Sequence, residues 1–266
     1  MPALEGEEMA EFETKGQDGN LKWSQYAPFY DEMCTFIPAY QENIDRLLEA
    51  LPALNLPDHP RILDLGAGTG NYILALNEVL SNASFVHLDI DTVMNNAARQ
   101  KYDALDLDAE IVQGYIQRAD FDESSFDLII CVNALCHAAP QVPSLRKIGR
   151  WLKPTGKLFV IDFGRPVKLL DWTWYIFQNA VKNVGLVTFL QAFYRNRQTF
   201  FQNRRAKKDQ KQGAMWLHSP EEFQDVLERG AFKVLESGTC YRGYCDMAIC
   251  TPTRQDSPEP TEASPH

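Results

Sequence analysis

The chain has 266 residues, 45% of them hydrophobic, with a formal net charge of −10 and a pI near 5.0. That balance suits one ordinary globular domain with a core of its own and argues against a nucleic-acid partner. No run of about 18 apolar residues occurs, which argues against an integral membrane span, and the acidic opening "MPALEGEEMAEFETKGQDGN" lacks the apolar stretch of a secretory signal. Six cysteines, at 34, 131, 136, 240, 245 and 250, form no CxxC pair, so reduced thiols in a cytoplasmic protein are expected rather than a metal site or a disulfide framework.

Residues 1–20 and 253–266 are polar and poor in core residues, and are expected to be disordered around a domain over 21–252. Within it, "LKWSQYAPFYDEM" (21–33) is aromatic-rich, and "RILDL" (61–65) reads as a first strand. "NYILALNEVLSN" follows as a helix with Ile73, Leu76, Val79 and Leu80 on one face. "SFVHLD" (84–89) is a second strand, with His87 on a sheet surface, and Asp91 is placed to cap the helix "TVMNNAARQKYDAL". "AEIVQG" (109–114), "FDLIICVN" (126–133) and "KLFVID" (157–162) are further strands, the second apolar enough to be central. Between the last two, "PSLRKIGRWLKPTG" reads as a helix closed at Lys153-Pro154. From Arg165 to Leu217 the pattern becomes helical and dense in aromatics. "SPEE" then starts a helix, with Ser219 as N-cap, Pro220 at N1 and Glu222 at N3, stopping near Gly230. "FKVLES" and "YCDMAIC" close the domain as an antiparallel pair at the sheet edge. The βα alternation predicts a mostly parallel sheet with helices on both faces.

The stretch "DLGAGTGN" puts Gly66, Gly68 and Gly70 at alternate positions after a strand and before a helix. Glycines there let a ligand approach the backbone, and a helix N-terminus offers unpaired N–H groups. The spacing is not the dinucleotide G-x-G-x-x-G, because Asn71 stands where its third glycine would be, and no Lys-Ser/Thr follows as in a P-loop. "LDLGAGTG" instead resembles motif I of class I S-adenosylmethionine (SAM)-dependent methyltransferases. "VHLDID", "FDESSFDLIICVNALCHA" and "IGRWLKPTGKLFVIDF" resemble that family's following motifs in order, through most of 60–165. The resemblance implies a Rossmann-like α/β fold of seven mostly parallel strands with a helical lid over 165–217. It also implies SAM as methyl donor and S-adenosylhomocysteine as product; no metal is expected, for want of a His–carboxylate cluster at ligand spacing.

The resemblance places Asp89, the acid ending the second strand, on the ribose hydroxyls, a role its distance from the glycines also suits. It places Asp64, Gly66, Ala67, Gly68 and Gly70 along the cofactor, with Asp64 toward the methionine end. Ile90 and Val93 are candidates to flank the adenine. The acid common in the family after strand three is replaced by "GYI", so a main-chain N–H at Ile116 or Gln117 is the alternative adenine contact. The aromatic segment 21–33 resembles the helix that covers SAM in small-molecule methyltransferases, with Tyr30 or Tyr26 against the cofactor.

SAM chemistry is in-line displacement, which asks chiefly for orientation, and for a base only if the acceptor must lose a proton. Asn133 after the fourth strand, His137 four residues on and Asp162 ending the fifth are the candidates to orient or deprotonate an acceptor, with Asn133 also facing the donor. His59 and His218 read as structural, and no His–carboxylate cluster has metal-ligand spacing. The lid's aromatics suit an apolar or aromatic small molecule. Inside the lid, "RNRQTFFQNRRAKKDQK" reverses the local charge; it reads as a solvated face, an anion anchor or a peripheral contact with an anionic membrane. The expected function is methyl transfer to oxygen or nitrogen of a small molecule of specialised metabolism, by a monomer or weak homodimer. The alternatives are a quinone or lipid C-methyltransferase and a non-catalytic SAM- or S-adenosylhomocysteine-binding protein.

Overall fold

In the computed structural model, which describes residues 30–32, 34, 37–195, 208 and 215–253, strand β1 (Arg61–Leu65) runs through a seven-stranded sheet. After α1 (Pro38–Leu54) and β1, the chain alternates α2 (Asn71–Val79), β2 (Ser84–Asp89), α3 (Thr92–Ala104), β3 (Ala109–Gln113) and β4 (Phe126–Val132). A one-turn 3-10 helix, Leu135–His137, precedes α4 (Gln141–Trp151) and β5 (Leu152–Phe163). The lid supplies α5 (Leu169–Val184) and α6 (Leu186–Arg195), and α7 (Pro220–Arg229), β6 (Phe232–Cys240) and β7 (Cys245–Pro252) complete the domain. The strand order is β3-β2-β1-β4-β5-β7-β6, parallel except for β7, which is antiparallel to both neighbours. This is the expected open, doubly covered sheet, with its apolar central strands buried on both faces.

Alternate strand residues feed two cores. Ile62, Leu128, Ile130, Phe159 and Ile161 face Leu47, Ile73, Leu76 and Ala98 of α1, α2 and α3. Leu63, Leu65, Ile129, Leu158 and Val160 face Leu145, Ile148, Phe223 and Leu227 of α4 and α7. The caps form as their sequences demand. Asp91 accepts from the amides of Val93 and Met94, and Ser219 Oγ accepts from Glu222 N. The Glu222 carboxylate, expected to complete a capping box, instead accepts from Trp216 Nε1 at 3.2 Å.

Several local expectations are corrected. Helix α1 is not among the expected elements, although Ala39, Tyr40, Asn43, Ile44 and Leu47 form its buried stripe. Val79 is exposed, because α2 ends there and its buried face is Tyr72, Ile73 and Leu76. His87 is not on an open sheet surface: α3 covers it, and its ring nitrogens lie 2.9 Å from Tyr102 OH and 3.0 Å from Asn95 Oδ1. Strand β5 starts five residues early. Phe126 pairs with Leu152 and Leu128 with Lys157, so residues 153–156 form a bulge that Lys153 Nζ pins to Asp127 at 2.7 Å. Residues 215–219 are not helical, so the lid's helices end earlier than Leu217. The expected disorder at 1–20 and in the tail after Thr253, the aromatics Trp23, Tyr26, Phe29, Phe200 and Phe201, and most of the basic run lie outside the described residues.

Gly230 stops α7 for a packing reason. Its φ is ordinary, while Ala231 takes the left-handed conformation at φ 65°, and a Cβ at Gly230 would sit 2.6 Å from Leu145 Cβ. Gly230→Ala should therefore destabilise the fold by about 1–3 kcal/mol, by forcing α7 off α4. Urea denaturation checks this; an unchanged midpoint would show that the interface yields freely.

Candidate functional site

The glycine loop leaves the C-terminal end of β1 with three left-handed residues, Gly66 at φ 71°, Gly68 at φ 57° and Gly70 at φ 80°. They are glycines for different reasons. A Cβ on Gly66 would lie 2.5 Å from Ala134 Cβ, and one on Gly70 would lie 2.1 Å from Tyr102 OH. Among the described residues, a Cβ on Gly68 would meet nothing within 4 Å. Gly66 and Gly70 are thus held against the protein, while Gly68 borders open space where a ligand can lie along the backbone.

Two strand-end groups fix the loop. The Leu88 carbonyl accepts from the amides of Gly66 and Ala67 at 2.8 and 3.1 Å. Asp89 accepts from Gly68 N at 2.9 Å through one oxygen and from Asp91 N at 2.8 Å through the other. Burial raises the Asp89 pKa, against the lowering effect of those amides. Each of its oxygens retains a lone pair for a hydroxyl donor. Ile90 and Val93 beside it are 41% and 39% exposed, leaving apolar surface at the mouth of the site. Gly114 N donates to the Asp89 carbonyl at 3.1 Å, bringing the end of β3 alongside. The Ile116 side chain is buried in the core, so only its backbone can serve the expected adenine contact.

Asp64 sits one strand over, fully buried, and among the described residues its Oδ2 makes no hydrogen bond. Burial, with Asp89 adding repulsion, pushes its pKa up to about 8. A buried carboxyl without a partner is costly, and a cation or donor placed against it would relieve that cost.

Sequence reasoning missed Asp31. Its carboxylate accepts from Thr69 Oγ1 at 2.6 Å, Asn71 Nδ2 at 3.1 Å and Lys101 Nζ at 2.9 Å, and Lys101 Nζ also donates to Asn71 Oδ1 at 2.7 Å. This cluster ties the segment bearing Tyr30 to the glycine loop, and explains why Asn71 replaces a third fingerprint glycine. Tyr30 packs edge-on against Tyr40, with ring centroids 6.1 Å apart. The available signal was the acid directly after Tyr30, in a segment already expected to cover the loop.

Beyond β4 and β5, the three candidate acceptor groups separate. Asn133 takes a left-handed φ of 55°, with its amide donating to Ile161 O, and lies at the strand ends. Asp162 is fully buried. Its oxygens accept from the amides of Cys136 and Phe163, and burial raises its pKa to about 7. It orders the 3-10 turn after β4 from within the core. His137 stands exposed on that turn, with its carbonyl accepting from Gln117 Nε2 at 3.0 Å. Among the described residues, nothing encloses the imidazole. His218 is buried as expected, stacked on Phe223 at 4.6 Å and 3.2 Å from Asp246, which also pairs with Arg165.

Over the end of β5, Trp172 of α5 meets Tyr241 at 4.9 Å, Tyr175 at 5.5 Å and Tyr244 at 5.9 Å, and Phe163 meets Tyr241 at 5.9 Å. Tyr241 and Arg242 are both left-handed, at φ 50° and 59°, conformations that cost energy in residues with a Cβ. Among the described residues, no group of three or more His, Cys, Asp or Glu could hold a metal ion. All six cysteines are free thiols.

A family profile described as a methyltransferase domain matches residues 62–156. A demethylmenaquinone methyltransferase from Deinococcus radiodurans is 27% identical over 175 residues, 64% of this chain and 71% of that protein. The ubiquinone/menaquinone biosynthesis C-methyltransferase UbiE of Vibrio parahaemolyticus is 33% identical over 110 residues, 40% of this chain and 42% of that protein. The chain therefore spans less than half the length of the UbiE relative. A SAM-dependent methyltransferase from Clostridium acetobutylicum shares the fold at TM-score 0.59 and 13% identity, over 86% of this chain and 99% of that one.

Asp64 generates a pH signature. Its folded pKa of about 8 lies above the ordinary 3.8, so its stability contribution is present below that ordinary value and is lost as pH rises through about 8. Asp64→Asn cannot ionise and should lose this slope, gaining stability over the wild type from acidic to neutral pH and levelling at alkaline pH. Urea denaturation across that range reads the difference; parallel curves for the two proteins would contradict the assignment.

Proposed function

We propose that the chain, whose residues 62–156 match a methyltransferase domain, is a class I SAM-dependent methyltransferase that moves a methyl group from SAM onto an apolar, aromatic small molecule. The observation that carries the reading is the orphaned Asp64 carboxyl beside a glycine loop whose middle residue borders open space. When bound, SAM supplies an electrophilic methyl group on a sulfonium. Asp89 would hold the ribose hydroxyls, Ile90 and Val93 the adenine faces, and Ile116 an adenine edge through its backbone. The Gly66–Gly70 backbone would line the cofactor, and Asp64 would face its cationic amino-acid end. Tyr30, clasped by way of Asp31, would cover it.

For the acceptor, the sequence put oxygen or nitrogen first. Relatives named as demethylmenaquinone and ubiquinone/menaquinone methyltransferases move the weight to a ring carbon of a quinone-type acceptor, and the half-buried Tyr241 ring is an aromatic wall of the kind such a ring stacks on. Orientation supplies the main rate effect in either case. Asp162 is committed to backbone amides and His137 is exposed, so neither is favoured as a base. Asp162 instead positions the turn that follows Asn133. Asn133 is the group favoured to orient the acceptor.

Asp89→Ala should weaken SAM binding by about 10- to 100-fold, because the ribose hydroxyls lose their acceptor and Gly68 N–H loses its anchor. Calorimetry measures this, and unchanged affinity would remove Asp89 from the site. His137→Ala should leave turnover and its pH profile alone; a lost basic limb would restore the histidine as base. Incubation with isotope-labelled SAM and a panel of hydroxyquinones, phenols and aromatic amines, read by NMR, decides the acceptor atom. Label on a ring carbon supports the quinone-type reading, and label on oxygen or nitrogen replaces it.

A further inference from the structure

The helical hairpin after β5 carries more apolar surface than its packing uses. Along α5, Trp172, Ile176 and Ala180 repeat every fourth residue and turn inward onto the core. On the other side, Leu170 is 89% exposed and Trp174 59% exposed. Helix α6 packs against α5 and leaves Leu186, Val187 and Leu190 at 48%, 69% and 53% exposure. The core does not need these residues, and so many large apolar side chains in water on one element mark a contact surface.

The charge on this element runs against the rest of the chain. Between residues 169 and 195 the sole acid is Asp171, which Arg242 and the Tyr244 hydroxyl already engage. Lys168 and Lys182 are exposed on the same hairpin. The sequence past it continues in the same sign, with basic residues at 197, 204, 205, 207, 208 and 211 against one acid, Asp209, in a chain of net charge −10.

We propose that the α5–α6 hairpin docks on an anionic lipid surface, with Leu170, Trp174, Leu186, Val187 and Leu190 entering the interface and Lys168 and Lys182 meeting the headgroups. Apolar residues flanked by cations are what such a surface attracts, and tryptophan suits the boundary between hydrocarbon and water. A second copy fits less well, because self-complementary pairing would bring like-charged lysines together. The contact is peripheral: among the described residues, no helix is long and apolar enough to cross a membrane. The proposal rests on the proposed function in one respect, since an apolar acceptor dissolved in lipid gives the docking its purpose. Binding itself needs no acceptor.

The test is flotation of the full chain with phosphatidylcholine vesicles and with vesicles that also contain phosphatidylglycerol, at low and high salt. Association should appear on the anionic vesicles and fall at least about tenfold on neutral ones or in high salt. Trp174→Glu with Leu190→Glu should reduce it by at least about tenfold, leaving SAM affinity and thermal unfolding unchanged because both positions face water. Three results overturn the proposal: no association with anionic vesicles, association indifferent to the double variant, or a homodimer in solution that the double variant splits while vesicles stay unbound. Vesicle binding without methyl transfer to any acceptor would sink the acceptor reading alone. Transfer to a water-soluble acceptor analogue without vesicle binding would sink the docking alone.

Discussion

The Asp89 carboxylate reaches back across the sheet edge to hold Gly68 N–H at 2.9 Å, while the neighbouring Leu88 carbonyl takes the amides of Gly66 and Ala67. A loop with three left-handed residues would otherwise be among the freest pieces of the chain. The tie turns it into a fixed shelf at the switch between β1 and β4, where an open α/β sheet leaves its crevice. Gly66 seats against Ala134 after β4, and Gly70 against Tyr102 of α3. The shelf therefore joins both faces of the sheet and inherits its shape from the cores behind it.

Three buried aspartates around that crevice show how one residue type serves different ends. Asp162 satisfies its oxygens with two backbone amides, so its burial orders the turn after β4. Asp246 pairs with Arg165 and abuts His218, bracing the return from the lid. Among the described residues, Asp64 Oδ2 and Asp246 Oδ1 both lack a hydrogen bond, and Asp64 stands two residues before the glycine loop. Desolvation favours its neutral form, so a cation bound there would couple its own binding to ionisation of this group.

The α5–α6 hairpin is held by rings on one side and by polar ties on the other. Tyr175 OH accepts from Ala39 N at 3.0 Å, Arg242 lies 4.1 Å over the Tyr175 ring, and Trp172 fills the centre. The strained turn at Tyr241 and Arg242 places both residues where α5 can use them, an arrangement that helix packing alone would not select. On the outer side of the hairpin, Leu170, Trp174, Leu186, Val187 and Leu190 stay exposed.

What the sequence by itself determined was whatever rests on near neighbours along the chain. The strand and helix alternation, the Asp91 and Ser219 caps, the glycine spacing and the acid ending β2 are all read within a few residues, and the structure keeps each of them. What only the tertiary structure decided was partnership across distance. Asp31 meets Thr69 from 38 residues away, and Tyr175 meets Ala39 from 136. His87 became a core residue only when α3 was laid over it, and Asp162 became structural only when the turn after β4 folded back onto it. Periodicity and capping are set by local backbone geometry. Which polar group is satisfied, and which is left for a ligand, depends on which elements the sheet order brings together.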